Sequence, residues 1–118
     1  MRPGTFIAAI GADNPHKNEI DPALMAHARV VPDITAQAAA MGDLRAAIAA
    51  GAMTLDAIHA DLAGIVSQAR PGRSNDDEIF IFDSTGTAIE DLAAANLIYD
   101  RARGDRATRC LDFNTSPR

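Results

Sequence analysis

Asp13, His16, Lys17 and Glu19 fall within seven positions of one polar stretch. A carboxylate beside a cation in such a place can serve as a general acid or base once burial and the neighbouring charge set its pKa. The bland counterpart is a solvated loop whose charges cap and pair. A second constellation, Asp83-Ser84-Thr85-Gly86, stands just before a helix start. Free backbone N–H groups, a hydroxyl and the positive end of a helix dipole there would suit a phosphate or a carboxamide. With no second Gly motif beside it, the same run also reads as a well-made helix cap.

Other chemistry-bearing residues point less firmly. Arg70 and Arg73 flank the Pro71-Gly72 turn and could clamp an anion, although a solvated loop is the simpler reading. His27 and His59 fall in predicted helices and read as structural, and the three His residues lack metal-ligand spacing, so no metal site is expected. Met25, Met41 and Met53 read as core gap-fillers. The lone Cys110 has no disulfide partner within the chain, and Asn114-Thr115-Ser116 matches the glycosylation pattern without a secretory signal to give it meaning.

The elements that must position these groups follow from periodicity. Thr5 to Ile10 is a continuous apolar run ending at Gly11 and predicts a short buried strand. Asp21-Pro22 is a helix start, with a capping oxygen followed by a proline whose missing N–H costs nothing. Arg29 to Asp33 predicts a second strand in which Pro32, unable to donate a ladder bond, belongs at the end or at a sheet edge. Thr35 to Ala50 is spaced as a helix with Gly42 as a weak point and Gly51 placed to end it in a left-handed conformation. Thr54 should cap a further helix carrying Ile58, Leu62, Ile65 and Val66, broken by Arg70-Pro71-Gly72-Arg73. Ile79-Phe80-Ile81-Phe82 is apolar on both alternating faces, as in a covered strand. Thr87-Ala88-Ile89-Glu90 is a capping-box pattern opening a helix from Ala88 to about Arg101. Strands alternating with helices predict an α/β domain with about three mainly parallel strands, whose ligands would bind at the strands' carboxyl ends.

Composition bounds the function. The 118 residues include 47% hydrophobic and 23% charged, which is globular and not disordered. A net charge of -5 disfavours nucleic-acid binding, and no run approaches the roughly 18 apolar residues of a membrane span. With no signal peptide at Met1, the cytoplasm is the expected compartment. An α/β chain of this size could be a phosphoacceptor receiver domain. That would need early paired acids and a late Lys, whereas here Asp76-Asp77 come late and the only Lys, Lys17, comes early.

Three segments carry a more specific signal. Pro3 to Asp13 with Lys17-Asn18-Glu19-Ile20-Asp21 behind it, Pro71-Gly72-Arg73 followed by Asp76 to Ile79, and Phe82 to Ala95 together resemble the ornithine cyclodeaminase/mu-crystallin family, in order and spacing, to about Arg101. The resemblance implies a nicotinamide-dependent, homodimeric enzyme with a Rossmann-like cofactor domain and a substrate-binding domain. This sequence is similar to its C-terminal portion, so residues 1–103 are expected to form a partial Rossmann-like domain plus the helix returning toward the substrate domain, with 104–118 a frayed tail. The Gly-rich turn for the pyrophosphate is not in the sequence, and the resemblance makes a missing N-terminal part the expected partner.

Carried over by position, the resemblance makes Asp13 the catalytic proton donor and acceptor and a contact to the substrate amine. Ile10, Lys17 and Ser84 become contacts to NAD or NADP, and Thr85 a substrate contact. Typical ornithine cyclodeaminases have Val at that last position, so the hydroxyl of Thr85 is expected to make the pocket more polar there, which puts ornithine as the substrate in doubt and leaves room for the family's amino-acid dehydrogenases and cyclic-imine reductases. The implied reaction is hydride transfer at the α-carbon of an amino acid or cyclic imine. The alternatives are a non-catalytic, mu-crystallin-like binder of cofactor or small ligand, and an inactive truncated product such as a late start codon would yield.

Overall fold

The computed structural model describes residues 1–109 and 111. Cys110, Asn114-Thr115-Ser116 and most of the tail expected to fray lie outside them. The order of elements is β1 (Phe6–Ala9), α1 (Pro22–His27), β2 (Arg29–Pro32), α2 (Thr35–Met41), α3 (Asp43–Ala49), a 3₁₀ turn (Leu55–Ala57), α4 (Leu62–Val66), β3 (Phe80–Asp83) and α5 (Ala88–Ala102). All pairings are parallel and the strand order is β1-β3-β2, with Phe6 and Arg29 both in register with Phe80.

The last strand in the chain is therefore the central one, and its burial follows. Ile81 is fully buried, and Val30, Met25, Leu44, Ala38 and Ala47 pack into the same core. Small Ala side chains let the helices lie close to the sheet, and Met25 and Met53 fill its gaps as expected. Pro32 ends β2, an edge strand, where its lack of a donor costs no ladder bond.

Three local expectations are corrected. β1 is not covered on both faces: its side chains alternate, Phe6 and Ala8 to the exposed face and Ile7 and Ala9 to the core, and β3, not β1, holds the centre of the sheet. The helix expected from Thr54 splits into the 3₁₀ turn and α4, and Thr54 makes no side-chain cap bond. Between them the chain is extended, so that the His59 N–H reaches the Val30 carbonyl on the open side of β2 at 3.1 Å. A backbone bond to an unpaired sheet edge outweighs the weak helical preference of that stretch. The capping box at Thr87 does not form either, although α5 starts where expected.

The longer helical region breaks at Gly42, which has extended backbone, and Gly51 ends α3 at φ +70. Asp21 accepts a 2.7 Å bond from the Ala23 N–H and caps α1. The chain divides after Gly86 into two compact units, the first holding the sheet and α1 to α4, the second α5. Within α5 the large apolar residues Ile89, Leu92, Leu97, Ile98 and Tyr99 are exposed.

Candidate functional site at the carboxyl ends of the strands

Beyond Ala9 the chain turns through Ile10 and Gly11 into the polar loop. The Gly11 N–H donates to Glu19 Oε2 at 2.7 Å, and the Glu19 carboxylate fills the space a Cβ at residue 11 would need. This folds the loop back on itself. Within it Lys17 Nζ meets Asp13 Oδ1 at 2.7 Å, and Asn14 Nδ2 donates to the same oxygen at 3.2 Å. Both partners are open to solvent, Asp13 58% and Lys17 52%. The hydrogen bond and positive charge of Lys17 hold the Asp13 carboxyl below its ordinary value. Asp13 is therefore ionised near neutrality, in the state that accepts a proton.

Three buried aspartates set the framework around this loop. Asp43, at the start of α3, accepts the N–H groups of Glu19 and Ile20 on Oδ1 at 2.6 and 2.9 Å, pinning the far end of the Asp13 loop. Asp83, at the end of β3, accepts from Leu44 N at 2.8 Å and Asp43 N at 3.3 Å, satisfying open N–H groups of α3. Burial pushes the Asp83 carboxyl up to about 6; these two N–H groups counter part of the rise, and the nearby charges of Asp43 and Asp33 add to it. Asp33, just past β2, holds the third connection, to residues 84–86.

Ser84, Thr85 and Gly86 do not offer free N–H groups. The Ser84 N–H donates to the Ala9 carbonyl at 2.8 Å, while those of Thr85 and Gly86 donate to Asp33 Oδ2 at 2.7 and 3.0 Å. The anion expected at this turn is thus supplied by the protein itself. The hydroxyls point the same way, with Thr85 Oγ1 3.1 and 3.2 Å from the two Asp33 oxygens and Ser84 Oγ 3.3 Å from Oδ2.

The five residues singled out by resemblance fall at one end of the sheet. Ile10 follows β1 and is 71% exposed; Asp13 and Lys17 are joined directly; Ser84 and Thr85 are buried side by side. The Ser84–Ala9 bond sets the second group beside Ile10. Among the described residues no hydrogen bond runs from Asp13 or Lys17 to Ser84 or Thr85; Asp43 and Asp83 make the connection between their loops.

Asp33 and Asp43 were not singled out in the sequence. Their only local signal was position, one directly after a strand and one in the first turn of a helix. His59 and Arg73 serve the scaffold. His59 Nε2 lies 2.8 Å from the Pro71 carbonyl and its ring meets Phe80 edge-on; Arg73 donates to the Glu78 carbonyl and covers the same Phe80 ring. A cleft of about 400 Å³ lined by His27, Arg29, Asp77 and Glu78 opens at the opposite, amino-terminal ends of β2 and β3. It is remote from the aspartate framework.

Parallel strands with flanking helices and polar loops gathered at the carboxyl ends define the C-terminal part of a Rossmann-like α/β domain. The chain belongs to the ornithine cyclodeaminase/mu-crystallin family, whose sequence model matches residues 1–106. It is 42% identical over 99 residues to the iminosuccinate reductase of Paracoccus denitrificans, covering 84% of this chain and 30% of that protein. An archaeal alanine dehydrogenase, a dimer with bound NAD, superposes with a TM-score of 0.83 at 36% identity, over 96% of this chain and 35% of that one. The Δ(1)-pyrroline-2-carboxylate reductase of Thermococcus litoralis, in complex with NADH and L-proline, gives 0.82 at 32% identity, over 88% of this chain and 32% of that one. The chain thus spans about a third of the length of these relatives. No helix among the described residues is long and apolar enough to cross a membrane.

Proposed function

We propose that this chain supplies the catalytic carboxylate and the nicotinamide side of an NAD(P)-dependent enzyme acting by hydride transfer at the α-carbon of an amino acid or cyclic imine. The observation that carries the reading is the Asp13 carboxylate, ionised, solvent-facing and held by Lys17 at the carboxyl end of β1. Ile10 offers an exposed apolar surface against which a nicotinamide ring can lie, and Lys17 and Ser84 are the further cofactor contacts that the family resemblance assigns. The donor set fits the nicotinamide half alone, since no residue run here forms the glycine-rich turn that grips a pyrophosphate. When bound, the cofactor supplies or accepts the hydride.

The chain's own residues handle the proton. Asp13 accepts a proton from the substrate amine in the oxidative direction and releases it to solvent; in the reductive one it takes a proton up from solvent and passes it to the nitrogen. Lys17 keeps the carboxylate ionised between turnovers. Thr85 forms part of the wall beneath the substrate. Residues 1–103 act with the polypeptide that carries the pyrophosphate turn and the substrate-carboxylate site, in a homodimer, a reading supported by the archaeal alanine dehydrogenase being a dimer, and the cytoplasm is the compartment this reading implies.

The test is turnover of NADH or NADPH, followed by absorbance, with cyclic imines and α-imino acids and with the chain joined to a relative's N-terminal part. Asp13→Asn should lower kcat by about 10² to 10⁴. Unchanged turnover in that variant removes Asp13 from the mechanism. A mu-crystallin-like binder would show cofactor binding with no turnover in either form.

A further inference from the structure

The Asp33 carboxylate is buried, and each of its oxygens already has donors. Oδ1 accepts from the Ile34 N–H at 2.6 Å and the Thr85 hydroxyl at 3.1 Å. Oδ2 accepts the N–H groups of Thr85 and Gly86 at 2.7 and 3.0 Å, with the hydroxyls of Thr85 and Ser84 at 3.2 and 3.3 Å. A carboxylate so enclosed has no free lone pair for a substrate proton. Yet charge-assisted bonds to consecutive N–H groups are among the stronger restraints a side chain can impose on a loop. Gly86 in that loop has φ +81, which a glycine adopts without strain but does not select by itself, so the bond to Asp33 fixes it.

Both branches of the Thr85 side chain point inward. Its hydroxyl is on Asp33, and its methyl lies where a Cβ at Gly42 would come within 2.9 Å. What remains for a ligand is backbone and a wall without a free hydroxyl.

We propose that Asp33 is a positioning residue of this site: by binding the N–H groups of Thr85 and Gly86 and the hydroxyls of Ser84 and Thr85 it fixes where Ser84 and Thr85 stand, and by taking up the Thr85 hydroxyl it leaves this residue, like a Val, with no free hydroxyl for a substrate. The inference rests on the function proposed above, in which Ser84 and Thr85 border the nicotinamide and the substrate. It also reverses the sequence-based expectation that the Thr85 hydroxyl makes the pocket polar.

Amide hydrogen exchange on the 118-residue chain tests the clamp apart from activity. In Asp33→Asn the protection of the Thr85 and Gly86 amides should fall about tenfold or more, while that of Ile81 in the central strand is retained. Because Asp33→Asn could unfold the chain, Thr85→Val and Thr85→Ser provide a second route: loss of Gly86 protection in the first and its retention in the second support the clamp. Unaltered Thr85 and Gly86 exchange in Asp33→Asn, or equal Gly86 protection in the two Thr85 variants, overturns it.

In the enzyme assembled with a relative's N-terminal part, Asp33→Asn should lower kcat about tenfold or more with the pKa values of the pH–rate profile unmoved. Retained kcat, or a displaced acid limb, overturns the positioning role. Absence of turnover in the assembled wild type, with the exchange result intact, overturns the proposed function and leaves the clamp supported.

Discussion

A methyl group at Gly42 would stand 2.9 Å from both Asp83 carboxyl oxygens and from the Thr85 methyl. None of these can retreat freely, since Asp83 holds the α3 N–H groups and Thr85 is tied to Asp33. Gly42→Ala should therefore destabilise the chain by about 1–3 kcal/mol, read as a lower midpoint in urea at unchanged slope. The sequence marked Gly42 as a weak point in a helix, which is what its backbone shows, but the contact that demands glycine comes from a strand far along the chain. Asp13 and Lys17 were legible because their partnership is local, four residues apart. Asp33, Asp43 and Asp83 each act on a backbone segment remote in sequence, so nothing near them in the chain announces the role. The run at 84–86 hides its partner for the same reason: the sequence leaves both a ligand site and a helix cap open, and the carboxylate that takes the N–H groups of Thr85 and Gly86 belongs to Asp33, just past β2.

Single elements carry their own tests. α1 has six residues and little intrinsic stability, so the bond from the Ala23 N–H to Asp21 matters. Asp21→Ala should cost about 1 kcal/mol in the same urea titration, and Asp21→Asn much less. Strand positions, the Asp21-Pro22 start and the glycine stops were readable because each rests on local sterics or capping. Two elements were not. The stretch after Thr54 has helical spacing, yet its backbone is drawn to the open side of β2, a competition decided by tertiary structure. For β1, an apolar run predicts burial on both faces, and only the strand order shows that it lies at an edge.

At the scale of the whole molecule, the Asp83 carboxyl makes stability depend on pH in the mildly acidic range. Its pKa rises from 3.8 to about 6 on folding, so between those values the native state binds more protons than the unfolded chain. Stability then falls as pH rises through that window. Asp13 and Glu78, whose pKa values are lowered, work in the opposite sense, but their contributions are lost only as pH drops below the ordinary carboxylate range. On going from pH 7.5 to 5.5 the urea midpoint of the wild type should rise relative to that of Asp83→Asn. A midpoint difference that does not change with pH would show that Asp83 titrates normally.

Strand order has a last consequence, for the time course of folding. β1 and β2 are never neighbours; each pairs only with β3, so Phe6 finds its partner in Phe80. As the chain leaves the ribosome, the helices between the outer strands can form from local contacts, but the two ladders among the described residues close only once Phe80 to Asp83 has been made. Sheet assembly is thus a late, long-range event, the kind that slows folding and leaves two edges waiting. Among the described residues, the ladder that fixes the end of β1, and with it the start of the Asp13 loop, is therefore the one that the late strand β3 brings.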